Sequence, residues 1–479
     1  MKLKANDTAE RLRGPTLLYS ALVAGATFLL GAQVYAADAP AAAAAAKANP
    51  APAAGAARPA DPHAAACAAA AAAAAQKPAT ISDDVFDDLK KATELLGQKK
   101  LDEAIAILNG VTDKGGDYDK ALVNYNLGVS YSEKNDYANS AKSFAKALSY
   151  HALPVQQNEQ LKYNAGQLYV ASGNLDEGIK LLQSYVGNSC NKVTADAHMF
   201  LANALTQQKR FPEALQEVNV VMSKAKVPKE SWLLFQLGIQ YEMKDYNACA
   251  DTLIHLISVA PGKSDYWKQL SGVLLQANDQ ERATAVLAMA QQSGLLEKPE
   301  DIRNLYSTYM MIGEPLKAAR LVDGAIAANK LPSDEKTLEM VSDAWINARE
   351  TDKAEDTLKK LAGMADRGEY YFRLGAMYGD QERWKESREM LQHALDKGGL
   401  KRPGDAWFRI AVADYGTSDI KGAISALQKA ATYEESKQQA TEWLHTLQGQ
   451  PAQAAGQPAQ PAKPSASAEQ PVKVATSKN

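Results

Sequence analysis

The strongest constraint on this chain is that its middle repeats itself. One pattern recurs in phase: a large apolar residue, usually a small one next, then a bulky one three residues later. The copies are NLGVSY (126–131), NAGQLY (164–169), FLANAL (200–205), QLGIQY (236–241), QLSGVL (269–274), NLYSTY (304–309), EMVSDAW (339–345), RLGAMY (373–378) and RIAVAD (409–414), with KATELL (91–96) a weaker first copy. Nine residues after each bulky position, a small residue opens a second amphipathic stretch. That column reads Ala104, Ser140, Gly178, Ala214, Ala250, Ala283, Ala318, Ala354, Ser387 and Ala423, in steps of 36, 38, 36, 36, 33, 35, 36, 33 and 36. Every member is Ala, Gly or Ser, as two closely approaching helices require. The small column on the first stretch is Ala92, Gly128, Gly166, Ala202, Gly238, Ser271, Tyr306, Ser342, Gly375 and Ala411, with Tyr306 its one breach. Aromatics at the bulky column, Tyr131, Tyr169, Tyr241, Tyr309, Trp345 and Tyr378, are read as filling the space between helices.

A helix–turn–helix pattern with a period near 34 matches the tetratricopeptide repeat. It predicts an all-α fold: a right-handed α-solenoid of about ten helix pairs over residues 81–449, plus a C-terminal capping helix. The cap is read in EESKQQATEWLHTLQ (434–448), with Trp443, Leu444 and Leu447 turned inward. Pro154, Pro228, Pro261, Pro299, Pro332 and Pro403 mark the joins between units. No unit can bury its own apolar face, so stacking supplies the core.

The ends have a different character. Residues 15–36 lack charge, and Val34-Tyr35-Ala36 offers small residues at a cleavage site after Ala36, so 1–36 reads as a signal peptide. The alternative is an uncleaved anchor, since about 18 apolar residues just span a bilayer. Either way the rest is exported. Residues 37–80 are rich in Ala and Pro and read as a disordered tether; 450–479 read as a disordered Gln/Pro/Ala tail. Much of the 46% hydrophobic content is this alanine. A net charge of −3 gives no excess of positive charge for nucleic acid. Three cysteines exclude a disulfide-dense scaffold. Cys67 reads as an incidental exposed thiol, the alternative being an intermolecular disulfide in an oxidising compartment. Cys190 and Cys249 lie two units apart, beyond disulfide reach in a solenoid, and are expected as free thiols.

No chemistry is visible. The six histidines lack metal-ligand spacing, and there is no HExxH, P-loop, GxGxxG or GxSxG. No catalytic, cofactor-binding or metal-binding residue is expected. Function is expected instead on the concave face, lined by first helices. Its partner-binding candidates are Tyr125, Tyr163, Met199, Asn203, Trp232, Phe235, Ile239, Arg303, Phe372 and Phe408, with Val129, Gln167, Lys268, Ser307, Met310, Lys336, Asp343 and Val412 on the same face. Units two to five and nine to ten present apolar groups, whereas six to eight present mixed charge. The expected ligand is an internal peptide anchored by Tyr163, Trp232 and Phe235. A lysine–asparagine clamp for a terminal carboxylate is not matched, because Met199 stands one turn before Asn203.

From residue 262 onward, Trp267-Lys-Gln-Leu270, SGLLEKPEDIRNLY (293–306), GEPLKAARLVD (313–323), SDEKTLE (333–339), GEYYFRLGAMY (368–378), ALDKGGLK (394–401) and Glu442-Trp443-Leu444 follow in order. This resembles the exported tetratricopeptide proteins found with TonB–ExbB–ExbD energy-transduction systems of Gram-negative bacteria. The resemblance spans roughly 85–447 and implies a periplasmic accessory that contacts the transduction complex, with no catalytic residues. The long Ala/Pro tether and Gln/Pro tail depart from it. Membrane association is expected only through an uncleaved N-terminal segment. The alternative setting is a scaffold in envelope biogenesis: outer-membrane assembly, cell-wall coordination or polysaccharide export.

Overall fold

Each apolar stripe of the repeat forms a helix, and among the described residues there is no strand. The computed structural model describes Cys67, Ala69 and residues 80–190 and 192–449. The chain divides into two units, 1–287 and 288–479. In the first lie α1 (Asp83–Gly97), α2 (Leu101–Asn109), α3 (Asp117–Glu133), α4 (Tyr137–Ser149), α5 (Val155–Ala171), α6 (Leu175–Asn188), α7 (Ala195–Gln207), α8 (Phe211–Lys224), α9 (Glu230–Glu242), α10 (Tyr246–Val259) and α11 (Ser264–Gln276). The division falls within α12 (Gln280–Gln292). The second unit continues with α13 (Pro299–Met311), α14 (Pro315–Ala327), α15 (Glu335–Asn347), α16 (Thr351–Met364), α17 (Glu369–Asp380), α18 (Trp384–Lys397), α19 (Pro403–Gly416), α20 (Ile420–Ala430) and α21 (Lys437–Gly449). These are the ten expected pairs of a helix-pair solenoid and one final helix. All six prolines fall where a second helix gives way to the next first helix, with Pro299 and Pro403 each opening one.

One turn recurs in every pair. The first helix ends at a residue with positive φ: Lys99, Asn135, Gly173, Lys209, Lys244, Asn278, Gly313, Arg349, Glu382 and Ser418. The next backbone N–H returns to the carbonyl five residues earlier, as in Asp136 to Tyr131 at 2.9 Å and Arg383 to Tyr378 at 2.9 Å. This is the Schellman closure of a helix C-terminus. The residue after the turn often caps the second helix, since Asp136, Asp245, Asp279 and Asp419 each accept the N–H three residues on.

Counting from the left-handed residue gives the true register. Seven residues back and five forward lie the two small positions, and their backbones nearly touch. A Cβ added at Gly178 would stand 2.9 Å from the Gly166 carbonyl oxygen; one at Gly128 would strike the Phe144 ring at 2.2 Å. Where the second position is serine, its hydroxyl donates to the facing carbonyl, Ser140 to Gly128 and Ser387 to Gly375, each at 2.7 Å. Nine of the ten expected pairs obey this count. The fifth does not: Lys244 puts Leu237 and Cys249 at the contact, not Gly238 and Ala250, and Gln240 in the bulky column instead of Tyr241. QLGIQY mimics the pattern one residue late. Gln240 is buried there, accepting from Thr252 at 2.8 Å, while a Cβ on Gly238 would meet nothing within 4 Å.

Neighbouring first helices are clasped by a repeated trio. Tyr370 and Arg367 donate to Glu335 at 2.9 and 2.8 Å, and Tyr266 and Lys263 do the same to Glu230. In the second unit Glu355 accepts from Lys359, Arg383 and Tyr378 at 2.7, 2.7 and 2.8 Å. Burial alone would raise its pKa, but these donors outweigh burial and hold it down at about 2. The last helix packs as a cap: Ala440 is buried, and Trp443 lies 5.6 Å from the rings of both Phe408 and Tyr415.

The cysteines correct the sequence reading. Cys67 and Cys190 form a disulfide, with Cα atoms 5.5 Å apart across 123 residues of sequence. The reach argument holds between repeats but does not bind a segment outside the array, which is free to return to it. Cys249 is a free, buried thiol, as expected. Cys67 and Ala69 are helical, so the tether is ordered at that point. The apolar segment 15–36, the remainder of 37–79 and the tail 450–479 lie outside the described residues. Among the described residues no helix is long and apolar enough to cross a membrane.

The register makes two substitutions in nominally the same column differ in sign. Gly375→Ala puts a Cβ 2.6 Å from Leu391 Cγ and 3.0 Å from the Ser387 carbonyl oxygen, and should destabilise by about 1–3 kcal/mol. Gly238→Ala sits mid-helix in open space and should stabilise by about 0.5–1 kcal/mol. Thermal melts of the two variants check both, and equal losses would count against the corrected phase. Glu355 supplies a pH test. Its folded pKa lies below the ordinary 4.5, so its contribution is complete above that value and lost as pH falls toward about 2. Glu355→Gln should flatten melting temperature against pH across that window.

Candidate functional site

The positions ten, six and three residues before the left-handed turn stand on one stripe of a first helix, away from its partner helix. In α13 these are Arg303, Ser307 and Met310; in α15, Glu339, Asp343 and Ile346. Met310, Ser307, Glu339, Asp343 and Ile346, with Tyr306, Asn347 and Arg373 of α17, line an open groove of about 690 Å³ in the second unit.

Tyr306 braces the groove. A phenol stands at a position that is Ala, Gly or Ser in eight of the other nine pairs, and its hydroxyl donates to the Met340 carbonyl of α15 at 2.9 Å. Burial, with Asp343 adding to it, pushes this phenol up to about 12, which keeps it a donor at neutral pH. Arg373 reaches from α17 to pair with the Asp343 carboxylate. Asn347 donates to the Asp343 carbonyl at 2.7 Å, and Ser307 donates to the Arg303 carbonyl at 3.0 Å. Asp343 is thus neutralised while Glu339 contributes a second carboxylate to the wall. Ile346 is 41% exposed. Earlier on α13, outside the groove lining, the buried Nε of the Arg303 guanidinium has no acceptor. The groove therefore offers two apolar side chains, Met310 and Ile346, one net negative charge and several fixed polar atoms. Among the described residues no group of three His, Cys, Asp or Glu is placed to hold a metal ion.

The sequence-derived candidates are spread differently. Met199, Trp232 and Ile239 are corrected to core: all three belong to one buried cluster in the first unit. For Trp232, Phe235 and Ile239 the cause is the one-residue slip of the fifth repeat, which leaves Leu234 and Gly238 in the stripe positions. Met199 has the right phase, but its unbranched side chain folds into the apolar cluster. Phe235 is half-buried against the same cluster. Tyr125 packs 5.8 Å from Phe144, and Tyr163 stacks 5.0 Å from Tyr185, where burial pushes its phenol up to about 12. Asn203 is half-buried and accepts from Gln207 at 2.8 Å. Phe372 lies under the Arg409 guanidinium at 5.8 Å, and Phe408 lies against Trp443 of the final helix. Of the wider face, Ser307, Met310 and Asp343 do meet in the groove; Glu339, Ile346, Asn347 and Arg373 were missed. The usable signal was the breach at Tyr306.

The tetratricopeptide-repeat family pattern matches residues 89–155 and 163–221. The chain is a repeat protein of the tetratricopeptide type. Its α-solenoid is a protein–protein interaction scaffold in the general sense of such repeats. Among solved structures it is similar to YrrB, described as a tetratricopeptide protein with an unusual peptide-binding site, at 18% identity over 44% of this chain and 98% of that one, TM-score 0.31. A repeat protein from Parabacteroides merdae aligns at 11% identity over 61% and 99%, TM-score 0.24. The C-terminal part of another from Cytophaga hutchinsonii aligns at 15% over 58% and 95%, TM-score 0.30. Likeness at this level carries no weight for what the chain binds. No curated protein matches the sequence.

Trp232 separates core from contact surface. Trp232→Ala should lower stability by about 3–5 kcal/mol, as truncation of a buried aromatic does. A melting temperature within a degree of the parent would return Trp232 to the list of ligand anchors.

Proposed function

We propose that this tetratricopeptide scaffold captures an extended segment of a partner protein in the groove between α13, α15 and α17. The observation that carries the reading is the pairing of exposed Ile346 with the Glu339 carboxylate beside a phenol and an ion pair that are already fixed. Preorganised polar atoms add specificity without an ordering cost at binding. The segment that fits places an aliphatic side chain on Ile346 and Met310 and a lysine or arginine opposite Glu339. Asp343 does not compete for that cation, because Arg373 holds it.

The setting we propose is the periplasm of a Gram-negative cell, with the chain exported by its N-terminal apolar segment and acting beside a TonB-type energy-transduction complex. The ordered motifs from Trp267 to Leu444 and the uncharged stretch 15–36 support this reading. A scaffold in envelope biogenesis is the competing setting.

A photo-crosslinking residue at Ser307, in intact cells, should attach components of a TonB-type complex. Capture of outer-membrane assembly components alone would sink the transduction setting while keeping the groove. Glu339→Lys combined with Ser307→Trp should weaken capture by at least about tenfold with an unchanged melting profile, since both positions lie on the face and outside the core. Undiminished capture by the folded double variant would place the binding surface elsewhere.

A further inference from the structure

One turn of α13 beyond the groove lining stands a guanidinium that the fold leaves unpaired. We propose that Arg303 forms an anion subsite at the edge of the groove, and that the bound segment is an extended chain in which an acidic, an aliphatic and a basic residue follow one another, in that order or its reverse. The acid pairs with Arg303, the base with Glu339, and the aliphatic side chain between them lies on Met310 and Ile346. This deepens the groove reading and rests on it.

Arg303 lies ten residues before the left-handed Gly313 and one turn ahead of Ser307. Four arginines among the described residues of the second unit are half-buried. Arg373 pairs with Asp343, Arg383 with Glu355 at 2.7 Å, and Arg409 lies over the Phe372 ring at 5.8 Å. Arg303, the fourth, has neither a carboxylate nor a ring beside it among the described residues, and its Nε is buried with no acceptor. A half-buried guanidinium has lost part of its hydration, and a carboxylate at its terminal nitrogens replaces that loss with charge-assisted bonds. The carboxylates nearby do not fill this role. Asp343 is held by Arg373, and Glu339 makes no ion pair among the described residues. Asp334 caps α15, accepting the Thr337 N–H at 2.8 Å. That bond, with the charges of Arg303 and Lys336 behind it, holds the Asp334 carboxyl below the usual range. Positive charge therefore gathers at the start of α15, where the carboxylate on hand is already engaged.

The spacing of the side chains sets the form of the ligand. The positions ten, six and three before the turn make three rows across α13 and α15. Arg303 and Glu339 form the first, Ser307 and Asp343 the second, Met310 and Ile346 the third. Seven residues of helix separate the outer rows, about 10 Å at 1.5 Å per residue. An extended chain along the middle row sends successive side chains to opposite sides. Sheets pack about 10 Å apart, so such a chain with its side chains fills this width. Neighbouring helix axes lie about 8–10 Å apart, against about 7 Å between alternate residues of a strand, a difference that long charged side chains span. Alternate residues of the ligand therefore meet Arg303 and Glu339, and the residue between them meets Met310 and Ile346. Reversing the direction of the chain reverses the order of acid and base.

The probes are fluorescein-labelled octapeptides, GSDLKVSG and the reversed-order GSKLDVSG, with neutral controls that carry Asn for Asp or Gln for Lys. Each is titrated with the full chain by fluorescence anisotropy. One of the two charged peptides should bind at least about tenfold tighter than its Asn control and than its Gln control. Arg303→Gln should remove the preference for Asp over Asn and leave that for Lys over Gln; Glu339→Gln should do the converse. Arg303→Lys keeps the charge without the planar fork and should retain a weakened preference for Asp. All three variants should melt with the parent, because neither residue belongs to the buried clusters of these helices. Equal affinity for the Asp and Asn peptides, or an Asp preference that survives Arg303→Gln, would overturn the subsite, while a kept preference for Lys over Gln would leave the groove reading standing. No binding by any peptide at millimolar concentration would overturn both.

Discussion

The architecture depends on a single backbone event, the left-handed residue that ends each first helix. Its effect is geometric: a reversal three residues long closes the helix C-terminus, and the next residue starts and often caps the second helix. Eight of these ten residues are not glycine. Each pays about 1 kcal/mol for a conformation that side chains disfavour. Satisfied carbonyls and the packing that the turn imposes more than offset that cost, since every pair retains it. Once the turn is set, the positions seven before and five after must meet, and in eight of the ten pairs both are Ala, Gly or Ser, Leu237 with Cys249 and Tyr306 being the exceptions.

This explains which parts of the fold were legible. Small residues at fixed spacing, and proline at the joins, are enough to identify ten pairs and a cap, because both are consequences of backbone contact that any sequence must respect. The turn itself was hidden: a search for glycine finds Gly173 and Gly313 and misses Lys244, the residue that sets the fifth repeat. With the turn unseen, QLGIQY aligned on its glycine and moved a whole helix by one residue. A shift of one position on a helix rotates every side chain by about 100°. Trp232 and Ile239 therefore changed from core to surface, and the most attractive hydrophobic anchors of the sequence reading were products of that rotation. The disulfide was illegible for another reason. Distance limits within a repeat array do not apply to a chain segment that lies outside the repeat.

The groove was half legible, and the half that showed is instructive. Ser307, Met310 and Asp343 follow from phase alone, since their repeats carry no slip. Arg373 does not, because its guanidinium reaches Asp343 from the neighbouring first helix, a contact that no spacing within one repeat encodes. Tyr306 breaks the small column. Its hydroxyl bridges two first helices, so the fault is a local exchange of close packing within a pair for a brace between pairs.

That exchange suggests where variation in such an array can reside. The turn, the small contact and the clasp of Glu335 by Tyr370 and Arg367 are each local to a pair or to two neighbours. None of them uses the stripe ten, six and three residues before the turn. Where side chains on that stripe stay outside the buried clusters, as Met199 does not, they can change charge and size with little cost to the fold, and on α13 and α15 they mix hydroxyl, thioether, carboxylate and aliphatic groups within one wall. On that stripe the Asp343 carboxylate is neutralised by Arg373 of the next first helix, while Glu339 lines the open groove, so the charge of this wall is decided by contacts that the turn and the small positions leave free.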